Sequence, residues 1–199
     1  MIAAQHDLLD HLEIEQLKAV MGYSYGGHLT FLWGAKYPDR MRALIPIAGV
    51  LKREHTLKDI ARIRARFADC AGWNDGHYYG NEDLAGGVRE KMVEVRMETL
   101  TKYGLGDYLK ATNDDAIKRD KIIRNLAESW SHEFDANALS ILYEAGIASS
   151  ADVSKFKAPL LNVLASTDSV VDVKLGQPTV DALKAHGVDA EFVEIDTPY

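Results

Sequence analysis

The segment Gly22-Tyr23-Ser24-Tyr25-Gly26 constrains this chain more than any other. It joins a short apolar run, Leu17-Lys-Ala-Val-Met-Gly22, to a helical pattern over Leu29–Tyr37 that stops at Pro38. A strand turning this sharply into a helix holds the central serine in a strained backbone, and side chains at Gly22 and Gly26 would crowd the turn. Gly27 then allows the new helix to pack closely. Such a turn lifts Ser24 Oγ clear of the sheet, while the helix N-terminus aims its N–H groups and positive end at any nearby oxyanion. The Tyr25 N–H is the expected oxyanion donor. As a bare pattern, G-x-S-x-G is more often a Gly-rich turn than a nucleophile; the strand before it and the helix after it favour the nucleophile.

Met41-Arg-Ala-Leu-Ile-Pro-Ile-Ala-Gly49 reads as a second strand, so strand, helix and strand within some thirty residues form a βαβ unit with parallel strands. Residues 2–12, with Ile2, Leu8, Leu9 and Leu12 between polar positions, read as an amphipathic helix ahead of it. From about 54 to 155 the pattern is helical. Ile60, Ile63 and Phe67 share one face and Val88, Met92, Val95 and Thr99 another. Ile122, Ile123 and Leu126 suggest a third helix, and Leu139, Leu142 and Ile147 a fourth. An aromatic, glycine-rich loop, Gly72–Gly80, separates the first two. The α/β pattern returns with the strand Pro159–Ala165, the loop Ser166-Thr-Asp-Ser-Val170, a helix over 174–186 that tolerates Pro178 only in its first turn, and a strand over Ala190–Ile195. The expected fold is α/β: a partial, mostly parallel sheet from 1–53 and 156–199, with a helical cap inserted over 54–155. Four strands are few for such a sheet, and the sequence stops just after a strand, so it is expected to be part of a longer domain.

Composition narrows the function classes. The chain has 199 residues, 47% of them hydrophobic and 27% charged, enough for a sizeable core without metal or disulfide staples. Its single cysteine, Cys70, makes neither an internal disulfide nor a multi-cysteine zinc site. With 23 Lys and Arg against 30 Asp and Glu, the net charge of −7 disfavours nucleic acid or an anionic membrane as partner. No apolar run approaches the roughly 20 residues of a membrane helix, and Met1-Ile-Ala-Ala-Gln-His-Asp7 lacks a signal-peptide pattern, so a soluble cytoplasmic protein is expected. Without a metal-ligand cluster, phosphate loop or dinucleotide fingerprint, no tightly bound cofactor is expected.

A serine nucleophile needs a base and a carboxylate to orient it, and after this kind of turn the chain order is Ser, acid, His. Asp168 is the expected acid, because it lies in the loop straight after the strand 159–165. Its bland role is turn formation; Asp172 competes but reads better as a helix N-cap. His186 is the only histidine after Asp168, and next to Gly187 it reads as a helix C-terminal cation. His28, His55, His77 and His132 precede the acid and read as surface or cap residues. The base is therefore expected beyond Tyr199, absent from this sequence.

These motifs resemble the homoserine O-acetyltransferase-like family of α/β-hydrolases over nearly all 199 positions, with gaps within 104–133. Leu8-Leu-Asp-His-Leu-Glu-Ile-Glu-Gln-Leu17 resembles the helix and turn before the family's nucleophile strand. Gly22–Gly27 with Tyr37-Pro-Asp-Arg-Met-Arg-Ala-Leu-Ile-Pro-Ile-Ala48 is similar to its elbow, helix and next strand. Trp73-Asn-Asp-Gly-His-Tyr-Tyr79 resembles the family's Trp-Asn-Gly-Gly-Asp-Tyr-Tyr, and Lys157-Ala-Pro-Leu-Leu-Asn-Val-Leu-Ala-Ser-Thr-Asp168 resembles the approach to its acid. Glu194-Ile-Asp-Thr-Pro-Tyr199 is similar to the segment that the family continues with Gly-His, its base.

The resemblance implies Ser24 as nucleophile, Asp168 as acid, and acetyl-CoA as a substrate rather than a resident cofactor. It also implies a small-molecule acyl donor, an alcohol acceptor or an ester, and a homodimer formed through the cap helices. Family acetyltransferases bind the amino-acid substrate with an Arg and a Tyr seven positions apart, a spacing matched by Arg96 and Tyr103. The alternative is a solvated Arg and a core Tyr. Two departures favour an ester hydrolase: Ser24-Tyr-Gly-Gly-His-Leu29 replaces the usual Ser-Met-Gly-Gly-Met-Gln, and Thr99-Leu-Thr-Lys-Tyr103 replaces Gly-His-x-Thr-Tyr. The leading expectation is an acyltransferase with an acyl-serine intermediate. A serine carboxylesterase of the same fold is the second, and an inactive, truncated binding or dimerising protein the third.

Overall fold

A computed structural model of the protein describes residues 1–147 and 149–198. In chain order the main elements are α1 (Ile2–His11), β1 (Val20–Tyr23), α2 (Tyr25–Lys36), β2 (Leu44–Ile47), α3 (Leu57–Ala65), α4 (Val88–Lys102), α5 (Leu105–Thr112), α6 (Ala116–Glu133), α7 (Ala136–Ile147), β3 (Leu160–Ala165), α8 (Gly176–Lys184) and β4 (Ala190–Ile195). They fall into two compact units, one from residues 1–53 and 149–198, the other from 54–147.

The first unit is built on a four-stranded sheet of order β1-β2-β3-β4 in which every neighbouring pair is parallel. Its register places Leu44, Leu160 and Ala190 in one row across the sheet. That row packs with Phe31 and Trp33 of α2, Val180 and Leu183 of α8, Ile2 of α1 and Phe156 in a single core. The opposite face carries the row Tyr23, Ile47, Val163 and Val193, with Tyr23 68% and Val193 43% exposed. Parallel sheets ordinarily bury both faces, so this face is an apolar surface that the unit's own helices leave open.

Three boundaries differ from expectation for identifiable reasons. Helix α2 starts at Tyr25, four residues before its apolar pattern, because the bond from His28 N–H to Ser24 O (3.1 Å) carries the helix through two glycines that pattern reasoning scores as breakers. Helix α1 buries Ile2 and half-buries Leu9, while Leu8 and Leu12 stay exposed. Its contact is one narrow line, with His6 stacked on Tyr37 and Gln5 accepting from Trp33 Nε1. Residues 149–155, assigned above to the cap, pack with the first unit: Ala151 N–H donates to Leu51 O, Ser150 bridges Lys52, and Ala151 joins the core. Pro178 sits in the first turn of α8, where its missing N–H costs nothing.

The second unit is helical, with no strand among its described residues. Its core gathers around two residues of the aromatic loop, Trp73 and Tyr78. Trp73 stacks between Phe67 and Tyr78 at ring distances of 5.1 and 5.4 Å, over Val88 and Met92. Asn74, Asp75 and Gly76 are all left-handed, and a Cβ at Gly76 would lie 2.7 Å from Asn137 Oδ1. The buried Tyr78 hydroxyl donates to Asp135 Oδ2 and accepts from Ala136 N–H, tying the loop to the start of α7. Burial, and then the Asp135 carboxylate, push its pKa far up. Helix α5 was not expected; it is short, begins after left-handed Gly104, and buries only Leu109.

Candidate active site

Ser24 stands between the last residue of β1 and the first of α2, with φ 55° and ψ −115°. Non-glycine residues rarely adopt this conformation, so the surrounding backbone must enforce it. Ser24 N–H donates to Ile47 O (2.8 Å), and Ser24 O accepts from His28 N–H. A Cβ on Gly22 would lie 2.2 Å from Gly26 O, so only glycine fits there. A Cβ on Gly27 would lie 2.7 Å from Ile47 O, which accounts for that glycine by close packing. The expectation for Gly26 is corrected: a Cβ there meets nothing within 4 Å, because the crowding lies on its backbone side. Ser24 is exposed and its side chain makes no cap bond, so Oγ is accessible. Tyr25 opens the helix, and the first N–H groups of a helix have no intrahelical acceptor.

Asp168 lies three residues past β3, half-buried, at the same carboxyl edge of the sheet as Ser24. Strand β2 lies between theirs, about 10 Å of sheet for two strand spacings. Asp168 Oδ1 accepts from Val170 N–H (2.8 Å) and Val171 N–H (3.0 Å). The turn-forming role thus uses Oδ1. Asp172 is a cap: its Oδ1 accepts from Lys174 N–H and starts the 3-10 turn Val173–Leu175. After β4 the chain runs beside this loop, with Ser166 N–H donating to Ile195 O and Thr197 N–H to Ser166 Oγ.

His186 is excluded as the base by topology. All four strands point the same way, so the residue preceding β4 lies at the amino edge, about 20 Å of strand away from the carboxyl edge. Its Nδ1 bonds Ala182 O. His77 and His132 are exposed, and His55 packs against Tyr143. His28 is the exception to the surface reading, only 1% exposed. Pattern reasoning missed it, although a polar residue one turn after Ser24, among apolar neighbours, was a readable signal.

Burial holds the His28 pKa below its usual value, against a smaller upward pull from Val50 O, and the nearby Arg53 charge adds a lesser downward push. The folded protein therefore keeps this ring neutral at pH values where the unfolded chain, titrating near 6.5, takes up a proton. Below that pH the unfolded state binds more protons, so stability falls as pH drops from 7.5 to 5.5; one proton gives a limiting slope of about 1.4 kcal/mol per pH unit. Chemical denaturation of the chain and of its His28→Asn variant across that range checks this. The variant should lose that part of the slope, and an unchanged slope would refute the assignment.

In the second unit, Arg96 lies on α4 with its guanidinium 5.1 Å from the Trp130 ring centre, and its buried Nε finds no hydrogen-bond acceptor among the described residues. Tyr103 is the C-cap of the same helix and is 52% exposed, so it is not a core tyrosine. Among the described residues, His6, Asp7 and Asp10 come close enough to share a metal ion, but Arg40 Nη1 already sits there, 2.9 Å from His6 Nε2 and 2.7 Å from Asp10 Oδ1.

A family model described as alpha/beta hydrolase fold matches residues 1–197. The chain is 29% identical over 221 residues to a homoserine O-acetyltransferase of Desulfotalea psychrophila, covering 99% of this chain and 56% of that relative. Among solved structures, esterase E22 superposes with a TM-score of 0.80 at 20% identity, over 98% of this chain and 59% of that one. A homoserine O-acetyltransferase from Bacillus anthracis superposes with a TM-score of 0.70 at 20% identity, over 98% and 57% of the two chains. At those identities the superpositions establish fold alone. This sequence spans little more than half the length of the proteins it matches. It belongs to the α/β-hydrolase fold family.

Proposed function

We propose that this chain carries the nucleophile and acid of an acyl-transfer enzyme working through an acyl-Ser24 intermediate, with acetyl-CoA as donor and homoserine as acceptor. The observation that carries the reading is the enforced conformation of Ser24, exposed between β1 and α2. Ser24 Oγ attacks the acyl carbonyl carbon, and its proton passes to a histidine oriented by Asp168. The carbonyl oxygen becomes an oxyanion that leans on the Tyr25 N–H and the positive end of α2. Collapse expels the thiol, which takes the proton back. The acceptor hydroxyl then attacks the acyl-serine by the same steps in reverse. In this reading the histidine comes from outside the sequence and enters beyond β4, where residues 195–197 already run beside Ser166. Arg96, with Tyr103, would hold the acceptor carboxylate through paired hydrogen bonds. The reading needs no resident metal or cofactor. It places the protein in the cytoplasm as a homodimer joined through the inserted helices.

The test is thiol release from acetyl-CoA with and without homoserine, by native protein and by Asp168→Asn. Homoserine-dependent release, reduced on the order of 10⁴-fold in the variant, is expected. Release that does not rise on adding homoserine would refute transfer to that acceptor. The second reading is an ester hydrolase, favoured by the changed residues after Ser24 and before Tyr103. Turnover of aryl acetates that ignores added alcohols would select it.

A further inference from the structure

We propose that His28 is the positioning residue of the Ser24 turn, clamping the first turn of α2 to the two chain segments, 47–53 and 149–151, that leave and re-enter the first unit. Its ring reaches both. Nδ1 lies 2.8 Å from Val50 O and Nε2 lies 2.8 Å from Ser149 Oγ. A carbonyl oxygen can only accept, so Nδ1 carries the proton; in the neutral ring Nε2 then accepts from the Ser149 hydroxyl. Both nitrogens are committed, so this histidine is not itself the base for Ser24.

The clamp acts on the atoms that hold Ser24. His28 N–H bonds Ser24 O, and the segment its ring grips also supplies Ile47 O to Ser24 N–H. Between those points the segment is pressed against the helix: a Cβ on Gly49 would lie 2.5 Å from the Gly27 carbonyl carbon and 2.9 Å from His28 N. Ala48 within it is left-handed (φ 48°) and donates to Val163 O on β3. Two strained residues, Ser24 and Ala48, thus each depend on a backbone bond made by this segment, one to Ile47 O and one to Val163 O. On the other side, Ser149 starts the returning segment, which pairs with the departing one through Ala151 N–H to Leu51 O (2.9 Å). Arg53 of the departing segment lies 4.9 Å from the Tyr25 ring centre, so its charge also faces the clamp and opposes a second proton on His28.

The inference rests on Ser24 being the nucleophile only for its consequence, and its test reads the backbone rather than catalysis. Amide hydrogen exchange and ring nitrogen shifts are measured by NMR on the 199-residue chain. His28→Phe should speed exchange at the Ser24 and Ala151 amides by about tenfold or more. The Leu160 amide, bonded to Asp189 O at the amino edge of the sheet, should change by less than about twofold. His28→Asn, whose amide can donate to Val50 O, should restore protection at Ser24 but not at Ala151. Ser149→Ala should speed Ala151 alone and leave the ring protonated on Nδ1; it decides the matter if His28→Phe does not fold. Uniform acceleration of all amides, an unchanged Ser24 amide in His28→Phe, or a ring protonated on Nε2 would overturn the clamp. A clamp that responds as expected in a protein without acyl transfer would instead refute the catalytic reading alone.

Discussion

Ser24→Ala is expected to lower acyl transfer by a factor on the order of 10⁴ or more while leaving the fold intact. Removing Oγ deletes the attacking atom, and no neighbouring hydroxyl occupies the same strained position. Mass spectrometry should find one acyl group on the native protein after brief exposure to an aryl acetate, and none on the variant. A variant that keeps more than about a tenth of the rate would mean that Ser24 is not the nucleophile. Ser24→Gly separates the chemistry from the strain. It should be equally inactive, yet its φ of 55° and ψ of −115° are what glycine adopts readily in the mirror-image turns. Holding serine there costs about 1–3 kcal/mol, and the added flexibility of an unfolded glycine offsets part of the relief. The net expectation is a melting temperature a few degrees above native. A lower one would show that the serine side chain stabilises the turn through a contact.

Much of this arrangement was legible in the residues because its causes are local. The Gly22–Gly27 turn between an apolar run and a helix pointed to Ser24 at a strand end, and the extended run Pro159–Ala165 placed Asp168 past the next-but-one strand. The final strand was read with the same bounds as observed, since its only competitors were flanking turn residues. What stayed illegible depends on long-range contact. His28 is polar, so composition assigned it to the surface; its partners, Val50 and Ser149, lie 22 and 121 residues away. The return at 149 rather than 156 rests likewise on a bridge between Lys52 and Ser150 that leaves no periodic trace. The aromatic loop at 72–80 was read as a connection, yet its Trp73 and Tyr78 join the second unit's core, because stacked rings bury area without helical spacing.

The two glycines of the turn provide the sharpest test of how the fold holds Ser24. Side chains at both were expected to crowd it, yet the structure makes them opposite cases. At Gly22 a Cβ would lie 2.2 Å from Gly26 O and 2.3 Å from its carbonyl carbon, which are backbone atoms of the first turn of α2 and cannot rotate away. Relief would require moving α2 off β1, which would break the Ser24 N–H to Ile47 O bond and pull Gly27 away from the segment after β2. Gly22→Ala is therefore expected to cost about 3 kcal/mol or more, which lowers the melting temperature by roughly 10 °C in a domain of this size. At Gly26 the Cβ direction is open, and the residue lies inside a helix where alanine is favoured over glycine by about 1 kcal/mol. Gly26→Ala should melt at or above the native temperature. Far-ultraviolet circular dichroism melts of the two variants side by side decide it. If both melt well below native, the turn is crowded on both sides; if both melt like native, the close approach of Gly22 to Gly26 does not hold Ser24. Only a fall in Gly22→Ala with none in Gly26→Ala fits a turn whose strain is enforced from the β1 side, with the Cβ direction of Gly26 open.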